Sequence, residues 1–323
     1  MKIQYTLDDS AARLPLAIRS ADGVWDRAAD LRSTPGIQLV ELTTQHMLNT
    51  GATLYDELAT YFDSDAPSES DPYALAACYA DRAVLEDLLN DLHDRRAELV
   101  ALYEVAEMFP LSFDYELPLT LALTVVGVPA FGYVRTFKDS EGEEYHGMVV
   151  NLAQARPHLE TLLGHFSREL LMNMIRYGFF NHEGFLLAYQ EYCEAVGRVP
   201  SRLVDRLKDA LLKRGVAWYL SYRHDLTFYD EALGLNTASL SAALARCNAV
   251  FADLRKDKAA DEPLNHWLHD HQPDDACLDI AGYVAARTIA QTYGDDGLRA
   301  AIANGPDYFI TQYNALAKEP LTP

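Results

Sequence analysis

Apolar residues recur with helical spacing over most of the chain. In the first third, residues three and four apart are apolar through 37–62 and 73–108, which is the spacing of one buried helix face. A Thr-Pro-Gly turn at 34–36 precedes the first stretch, and an acidic Ser/Pro loop at 63–72 separates the two. The same spacing returns later and predicts helices at 155–178, 183–195, 201–222, 238–255, 278–303 and 306–316.

The middle of the chain follows a different pattern. Residues 119–127 form a continuous apolar and β-branched run, residues 131–137 alternate between apolar and polar, and residues 145–152 form a third short apolar run. Runs of this kind predict strands, the first of them buried. The acidic sequence KDSEGEE at 138–144 predicts a hairpin turn. Three short strands among many helices predict an α+β fold that is predominantly helical.

These elements predict two regions within one continuous globular unit. The N-terminal helical region covers residues 1–110. The second region, 111–323, holds the small sheet at 119–152, the helices at 155–222 and the C-terminal helices at 238–316. A chain of 323 residues is long enough for one large domain or for two closely packed ones.

The sequence shows no sign of membrane insertion or secretion. No stretch approaches the ~18 to 20 apolar residues that cross a bilayer, and the start, MKIQYTLDDSAARLP, has acidic residues where a signal peptide is apolar. The cysteines form no C-x-x-C pair, which indicates ordinary buried thiols at Cys78, Cys193, Cys247 and Cys277. We therefore expect a cytoplasmic protein with no membrane partner.

Acidic residues outnumber basic ones, 48 to 27, which gives a formal net charge of −21. Such a surface argues against nucleic acid as a partner, because phosphate binding needs clustered basic side chains. Two explanations of the acidity remain open: a salt-rich cytoplasm, in which a dense carboxylate surface keeps a protein hydrated, or a cationic partner. We favour the first, halophilic explanation, since the acids are scattered along the chain and form no acidic tail.

The order of elements around the sheet predicts a candidate catalytic frame. A strand at 148–152 leads into a helix over 162–172, and a later helix contains the sequence RGVA at 214–217. A zincin site needs a strand, a helix with H-E-x-x-H and a second helix with the third ligand. Histidines four residues apart lie on one helix face and bind one zinc ion, while the intervening Glu activates the bound water.

Over residues 35–315, this layout resembles a little-characterised family of zinc-dependent peptidases of the gluzincin type, with an H-E-x-x-H helix and an E-G-x-A helix. The resemblance implies a zincin-like scaffold with a small central sheet and surrounding helices. Carried over residue by residue, the two His positions fall on Arg168 and Met172, the catalytic Glu falls on Glu169, and the third-ligand Glu falls on Arg214.

The metal ligands of that family are therefore replaced in this chain. A guanidinium stays protonated and a thioether binds zinc poorly, so Arg168, Arg214 and Met172 do not suit zinc. Only the vestigial general base, Glu169, is kept. With no dication to balance Glu169, we predict a buried salt bridge between Glu169 and Arg214. The alternative is that all these residues are surface or packing choices on amphipathic helices.

Two further groups of residues are alternative metal sites. His165 and Glu169 are four residues apart and would form a displaced metal pair on one helix, with a third ligand from His146, His182 or His224. A plain side-chain pair explains the same spacing without a metal.

The densest group of potential ligands is His266, His269 and His271, followed by Asp274 and Asp275. Their spacing is awkward on a helix, and a solvated polar loop explains the cluster without a metal.

The leading interpretation is a catalytically degenerate, metallopeptidase-like protein that has no cofactor and keeps a cleft for binding or regulation, with a peptide or protein as the candidate partner. The first alternative is an active, zinc-dependent hydrolase with a rearranged site at His165 and Glu169. The second is a structural or assembly protein whose cleft is filled. Metal content separates the leading interpretation from the first alternative, and an open rather than a packed cleft separates it from the second.

Overall fold

The computed structural model describes the chain in five stretches, residues 1–99, 103–138, 144–225, 234–255 and 277–323. The chain divides into two compact units. We call the first the sheet unit, which comprises Ile3–Val100 and Leu117–Arg176. The second is the helical unit, which comprises Met1–Lys2, Ala101–Glu116 and Tyr177–Pro323.

The first half of the described chain holds strand β1 (Lys2–Asp8), helices α1 (Ser10–Ala17), α2 (Ala21–Asp26), α3 (Ala28–Ser33), α4 (Pro35–Leu48), α5 (Leu54–Ser64), α6 (Leu75–Ala80) and α7 (Arg82–Asp94), a 3-10 turn (Arg96–Leu99), α8 (Tyr103–Glu107), and strands β2 (Glu116–Thr124), β3 (Gly132–Lys138) and β4 (Glu144–Asn151). The second half holds α9 (Leu152–Leu163), α10 (Arg168–Asn173), a π-helical segment (Met174–Asn181), α11 (His182–Ala195), α12 (Leu203–Tyr222), a 3-10 turn (Arg223–Asp225), α13 (Thr237–Arg255), α14 (Cys277–Asn304) and α15 (Pro306–Leu316).

The sheet has four strands in the order β1-β2-β4-β3. β2 pairs in parallel with β4, so that Leu121 lies opposite Met148, and β3 pairs antiparallel with β4. The C-terminal half of β2 is buried on both faces, as its continuous apolar run predicts. A small mixed sheet among many helices confirms the predominantly helical α+β class.

The three predicted strands are confirmed to within a few residues, and one strand was missed. β1 carries alternating apolar residues, Ile3, Tyr5 and Leu7, which is the period of a strand. The pattern covers only seven residues, which makes it a weak signal in the sequence. The residues of the expected hairpin turn at 139–143 lie outside the described part of the chain.

The long helices predicted in the first third are in fact broken. The stretch 37–62 forms two helices, because Asn49 adopts a left-handed conformation at φ 49° and ends α4. The hydroxyl of Thr53 then caps α5 by accepting a hydrogen bond of 3.1 Å from the amide of Asp56. The stretch 73–108 likewise divides into three helices and a 3-10 turn.

The helix expected over 155–178 is also broken. α9 ends at Leu163, and Gly164 follows with a left-handed φ of 76°. α10 starts after Ser167 and runs directly into the π-helical segment. The predicted helices at 183–195, 201–222, 238–255, 278–303 and 306–316 are confirmed within about two residues.

α12 is the central helix of the helical unit, where it packs against α11, α14 and α15. At Gly215 it lies directly against Gly282 of α14. A Cβ atom added at Gly215 would lie 2.2 Å from the carbonyl carbon of Gly282, so the two backbones touch. α14 is interrupted at Gly294, which adopts φ 66° and ψ −164°.

The four cysteines are free and buried, as expected: Cys78, Cys193, Cys247 and Cys277. Across the described stretches of the chain, no helix combines the length and the apolar character needed to cross a bilayer.

Candidate functional site

Two of the positions that the resemblance assigns to the catalytic helix, Arg168 and Met172, have structural contacts in α10. The hydroxyl of Ser167 caps this helix by accepting a hydrogen bond of 3.1 Å from the amide of Leu170. Arg168 forms an ion pair with Asp87 of α7. Met172 is only 3% exposed and belongs to the hydrophobic core of the sheet unit. Both side chains therefore contribute to packing and surface pairing within this unit.

Glu169, the expected general base, lies at the surface of the sheet unit. Its side chain is 72% exposed, and its carboxylate accepts hydrogen bonds of 2.8 and 3.2 Å from Arg95. Hydrogen bonds to Glu98 and Glu169 raise the pKa of Arg95. An exposed carboxylate is solvated and needs no buried cation. The prediction of a buried salt bridge between Glu169 and Arg214 is therefore wrong, because Glu169 is not buried.

Arg214 is buried in the helical unit. Its Nη1 atom donates a hydrogen bond of 3.3 Å to Oδ1 of Asp279 on α14. Both side chains are about one-tenth exposed, at 10% and 11%. The next residue, Gly215, makes the backbone contact with α14. The RGVA sequence therefore joins α12 to α14 through one buried ion pair and one glycine contact.

The expected helical pair of His165 and Glu169 is not on one helix. His165 lies between Gly164, which ends α9, and Ser167, which caps α10. Its Nδ1 atom is 3.1 Å from the carbonyl oxygen of Leu163. The four-residue spacing therefore does not place the two side chains on one helix face.

The other histidines have separate surroundings. His182 Nδ1 lies 2.8 Å from Oε1 of Glu183, and His224 Nε2 lies 3.0 Å from both carboxylate oxygens of Glu104. His146 is part of β4. The described residues contain no group of three or more His, Cys, Asp or Glu side chains that could hold a metal ion. Outside the described residues lie His266, His269 and His271.

The helical unit contains a groove of about 500 Å³ between α11 and α12. α11 supplies residues three and four apart on one face, and α12 supplies the facing wall. The loop between the two helices closes one end. The lining residues are Glu183, Leu186, Leu187, Tyr189, Gln190, Cys193, Glu194, Arg198, Val199, Pro200, Arg206, Asp209, Lys213 and Arg214. We call this feature the α11–α12 groove.

Two buried side chains form the floor of the groove. Tyr189 donates a hydrogen bond of 2.7 Å to Oδ1 of Asp209, and Asp209 is 9% exposed. Burial raises the pKa of Asp209, while the hydrogen bond from Tyr189 and the charge of Lys213 offset part of that rise. Burial also raises the pKa of the neighbouring Cys193, so its thiol is poorly suited to act as a nucleophile.

The α12 wall presents three cations to the groove, and one of them, Arg214, is paired with Asp279. Arg206 and Lys213 line it, and neither side chain makes a salt bridge or a hydrogen bond with any residue in the described stretches. The next cation along the same helix differs, because Lys208 pairs with Asp307 at 2.8 Å. In a protein of net charge −21, two cations that share one groove and form no salt bridge with a described residue are an unusual feature.

The acids on the α11 wall have partners of their own. Glu194 accepts a hydrogen bond of 3.2 Å from Gln190, and Glu183 lies 2.8 Å from His182. Arg198 at the end of the groove is also occupied, since it donates to two carbonyl oxygens at the end of α14 at 2.7 Å each. The available positive charge of the groove is therefore that of Arg206 and Lys213.

A second polar cluster lies elsewhere in the helical unit. The carboxylate of Glu104, 3% exposed, accepts hydrogen bonds of 3.2 Å from Asn181 and Arg223 and faces His224. Arg223 also pairs with Asp295 at 2.9 Å. Burial lowers the pKa of Arg223, but the charges of Glu104 and Asp295 outweigh this effect and raise it overall. The carboxylate of Glu104 joins α8 to the π-helical segment and to the 3-10 turn, and Arg223 extends the cluster to α14.

Comparison with protein-family models, with curated protein sequences and with solved structures finds no match for this chain. The resemblance to gluzincin peptidases consequently rests on the order and spacing of the sequence motifs.

The sequence did not identify the groove, although it carries a signal for it. Arg206, Asp209 and Lys213 are three and four residues apart, so they form a polar stripe on one face of the helix. A polar stripe is normally solvent-facing. Only the packing of α11 beside it turns this stripe into the wall of a groove.

Proposed function

We propose that this chain is a binding protein that holds a peptide segment in the α11–α12 groove and performs no zinc-dependent hydrolysis. The observation that carries the proposal is the presence of Arg206 and Lys213, without ion-pair partners among the described residues, in a groove of about 500 Å³. This is the size of pocket that holds a small molecule or a few residues of a peptide.

The replaced ligands support a binding role over catalysis. The guanidinium groups of Arg168 and Arg214 and the thioether of Met172 do not suit zinc, and all three side chains have structural contacts of their own. Glu169 is solvated and paired with Arg95. The proposal therefore keeps the degenerate, peptidase-like interpretation and moves the binding site to the helical unit.

The shape of the groove favours an elongated ligand. Its α11 wall extends from Glu183 to Glu194, which corresponds to about 16 Å at a rise of about 1.5 Å per residue. An extended peptide of about five residues has the same length at about 3.3 Å per residue. A second recess of about 330 Å³ continues around the loop and shares Val199 and Pro200 with the groove.

The proposal can be tested with pools of fluorescein-labelled hexapeptides of acidic, neutral and basic composition, with binding followed by fluorescence anisotropy. We expect the acidic pool to bind and the double variant Arg206→Ala/Lys213→Ala to lose that binding by about a hundredfold, because two charge-assisted contacts are removed. The matched control is Arg27→Ala/Arg156→Ala, which removes two surface cations that pair with Asp30 and Glu160.

Equal binding to the control and to the groove variant would show that only net charge matters and would refute the proposal. The absence of peptide binding to the unmodified protein would refute it as well.

A further inference from the structure

We infer that the α11–α12 groove recognises an acidic segment in the polyproline II conformation, with two carboxylates three residues apart. This inference names the ligand class of the groove and rests on the function proposed above.

The spacing comes from α12. Arg206 and Lys213 are seven residues apart, which is nearly two helical turns, so both side chains leave the same face of the helix. At a rise of about 1.5 Å per residue, their Cα atoms are about 10 Å apart. A ligand that lies along α12 and reaches both cations is matched best by two negative groups with a similar spacing on one side.

Polyproline II geometry meets this requirement. With three residues per turn and a rise of about 3.1 Å per residue, positions i and i+3 point the same way and are about 9 Å apart. In a β-strand, positions that share a side are an even number apart, which gives about 7 or 13 Å. Both strand spacings differ from the Cα spacing of the two cations by about 3 Å, whereas the polyproline II spacing differs from it by about 1 Å.

The remaining surface of the groove suits this ligand. Leu186 and Leu187 of α11 and Val199 and Pro200 of the loop provide apolar contacts for pyrrolidine rings. Val199 is 73% exposed, so this apolar surface is accessible. Because a polyproline II segment is already ordered before it binds, it loses little conformational entropy in the groove.

The test compares fluorescein-labelled, end-blocked peptides in which two glutamates are separated by one, two or three prolines. Affinities would be measured by fluorescence anisotropy for the unmodified protein, for Arg206→Ala and for Lys213→Ala. We expect the peptide with two prolines, Glu-Pro-Pro-Glu, to bind about tenfold more tightly than the other two. Each single variant should reduce its affinity to the level of the others.

A charge reversal adds a gain of function that an unfolded variant cannot give. The variant Arg206→Glu/Lys213→Glu is expected to lose Glu-Pro-Pro-Glu and to bind Lys-Pro-Pro-Lys with the same preference for two prolines. Circular dichroism would confirm that its helical content is unchanged.

The possible results distinguish a failure of the spacing inference from a failure of the proposed function. If all three glutamate peptides bind equally and all depend on Arg206 and Lys213, the spacing inference is wrong while the proposed function stands. If none binds to the unmodified protein while the acidic hexapeptide pool does, this inference is wrong and the proposed function stands. If the acidic pool also fails to bind, both are wrong.

Discussion

Gly215 of α12 and Gly282 of α14 bring the two helices into backbone contact. A Cβ atom at Gly215 would lie 2.2 Å from the carbonyl carbon and 2.3 Å from the carbonyl oxygen of Gly282. Backbone atoms cannot rotate out of the way as a side chain can, so any larger residue must push the helices apart.

We therefore expect Gly215→Ala to lower the free energy of unfolding by about 3 kcal/mol, at the upper end of the usual cost of overpacking. Urea unfolding followed by circular dichroism measures this change. Gly51→Ala is the control, because no heavy atom lies within 4 Å of a Cβ at that position. Its effect should stay within about 0.5 kcal/mol. Similar values for the two variants would contradict the helix contact.

Two glutamates, Glu104 and Glu169, test whether burial determines how much an ion pair contributes to the free energy of unfolding of this protein. Glu104 is 3% exposed and is the shared partner of Asn181, Arg223 and His224. In Glu104→Ala, Asn181 still donates to the carbonyl oxygen of Leu220 and Arg223 still pairs with Asp295, but the buried carboxylate that all three side chains share is lost. We expect a loss of about 3 kcal/mol in the free energy of unfolding.

The matched substitution is Glu169→Ala, which removes an exposed carboxylate from its pair with Arg95. Here the unfolding midpoint should stay unchanged within experimental error, because water replaces the lost contact. A large effect of Glu169→Ala would mean that this residue has a buried partner after all, as the zincin interpretation predicts.

Asp209 should make stability depend on pH. Burial raises the pKa of its carboxyl group in the folded state, so the folded protein holds this proton more tightly than the unfolded chain does. The contribution of Asp209 to the free energy of unfolding is therefore most favourable at low pH and is lost as the pH rises through the folded-state pKa. In Asp209→Asn, which keeps an acceptor for Tyr189, the stability relative to the unmodified protein should increase as the pH rises through the folded-state pKa of Asp209.

Asp205→Asn on the same helix is the control with the opposite sign. A hydrogen bond from Arg202 lowers the pKa of Asp205, so its favourable contribution is present above the unfolded-state pKa and is lost as the pH falls. Its removal should not increase stability towards pH 7. Parallel pH profiles for the two variants would show that burial of Asp209 is not the cause.

The net charge of −21 gives a prediction about salt. Self-repulsion should weaken the fold in dilute buffer, and screening should restore it, because exposed charges interact only over about 3 Å at 1 M salt. The melting temperature should rise by several degrees between low and molar KCl. A constant melting temperature would argue against halophilic adaptation and in favour of a cationic partner.

The sequence predicts most elements because their patterns are local. The apolar run of β2 and the periodicity of α11, α12 and α15 are each contained in one continuous stretch. The breaks are harder to predict, because Gly164 and Ser167 interrupt a pattern whose apolar spacing continues on both sides. The π-helical segment has no signal in a period calculation based on 3.6 residues per turn.

The candidate site could not be predicted in the same way. The resemblance assigns Arg214 and Gly215 to a motif that holds a metal ligand in the peptidase family. In the structure, Arg214 pairs with Asp279, 65 positions further along the chain, and Gly215 contacts Gly282, 67 positions further along. Contacts of that kind depend on tertiary packing, which periodicity does not encode. The groove cannot be predicted from the sequence pattern for the same reason, because its walls come from two helices and a loop.

The interleaving of the two units has a consequence for synthesis. The chain passes between the units after Lys2, Val100, Glu116 and Arg176. The sheet unit has all its residues once Arg176 has emerged from the ribosome, whereas the helical unit must wait for Tyr177–Pro323. At about 5 to 20 residues per second, that delay is roughly 7 to 30 s. During this interval the segment Ala101–Glu116 is accessible to chaperones. Its Glu104 then lacks Arg223 and His224, the basic partners that it has in the folded protein.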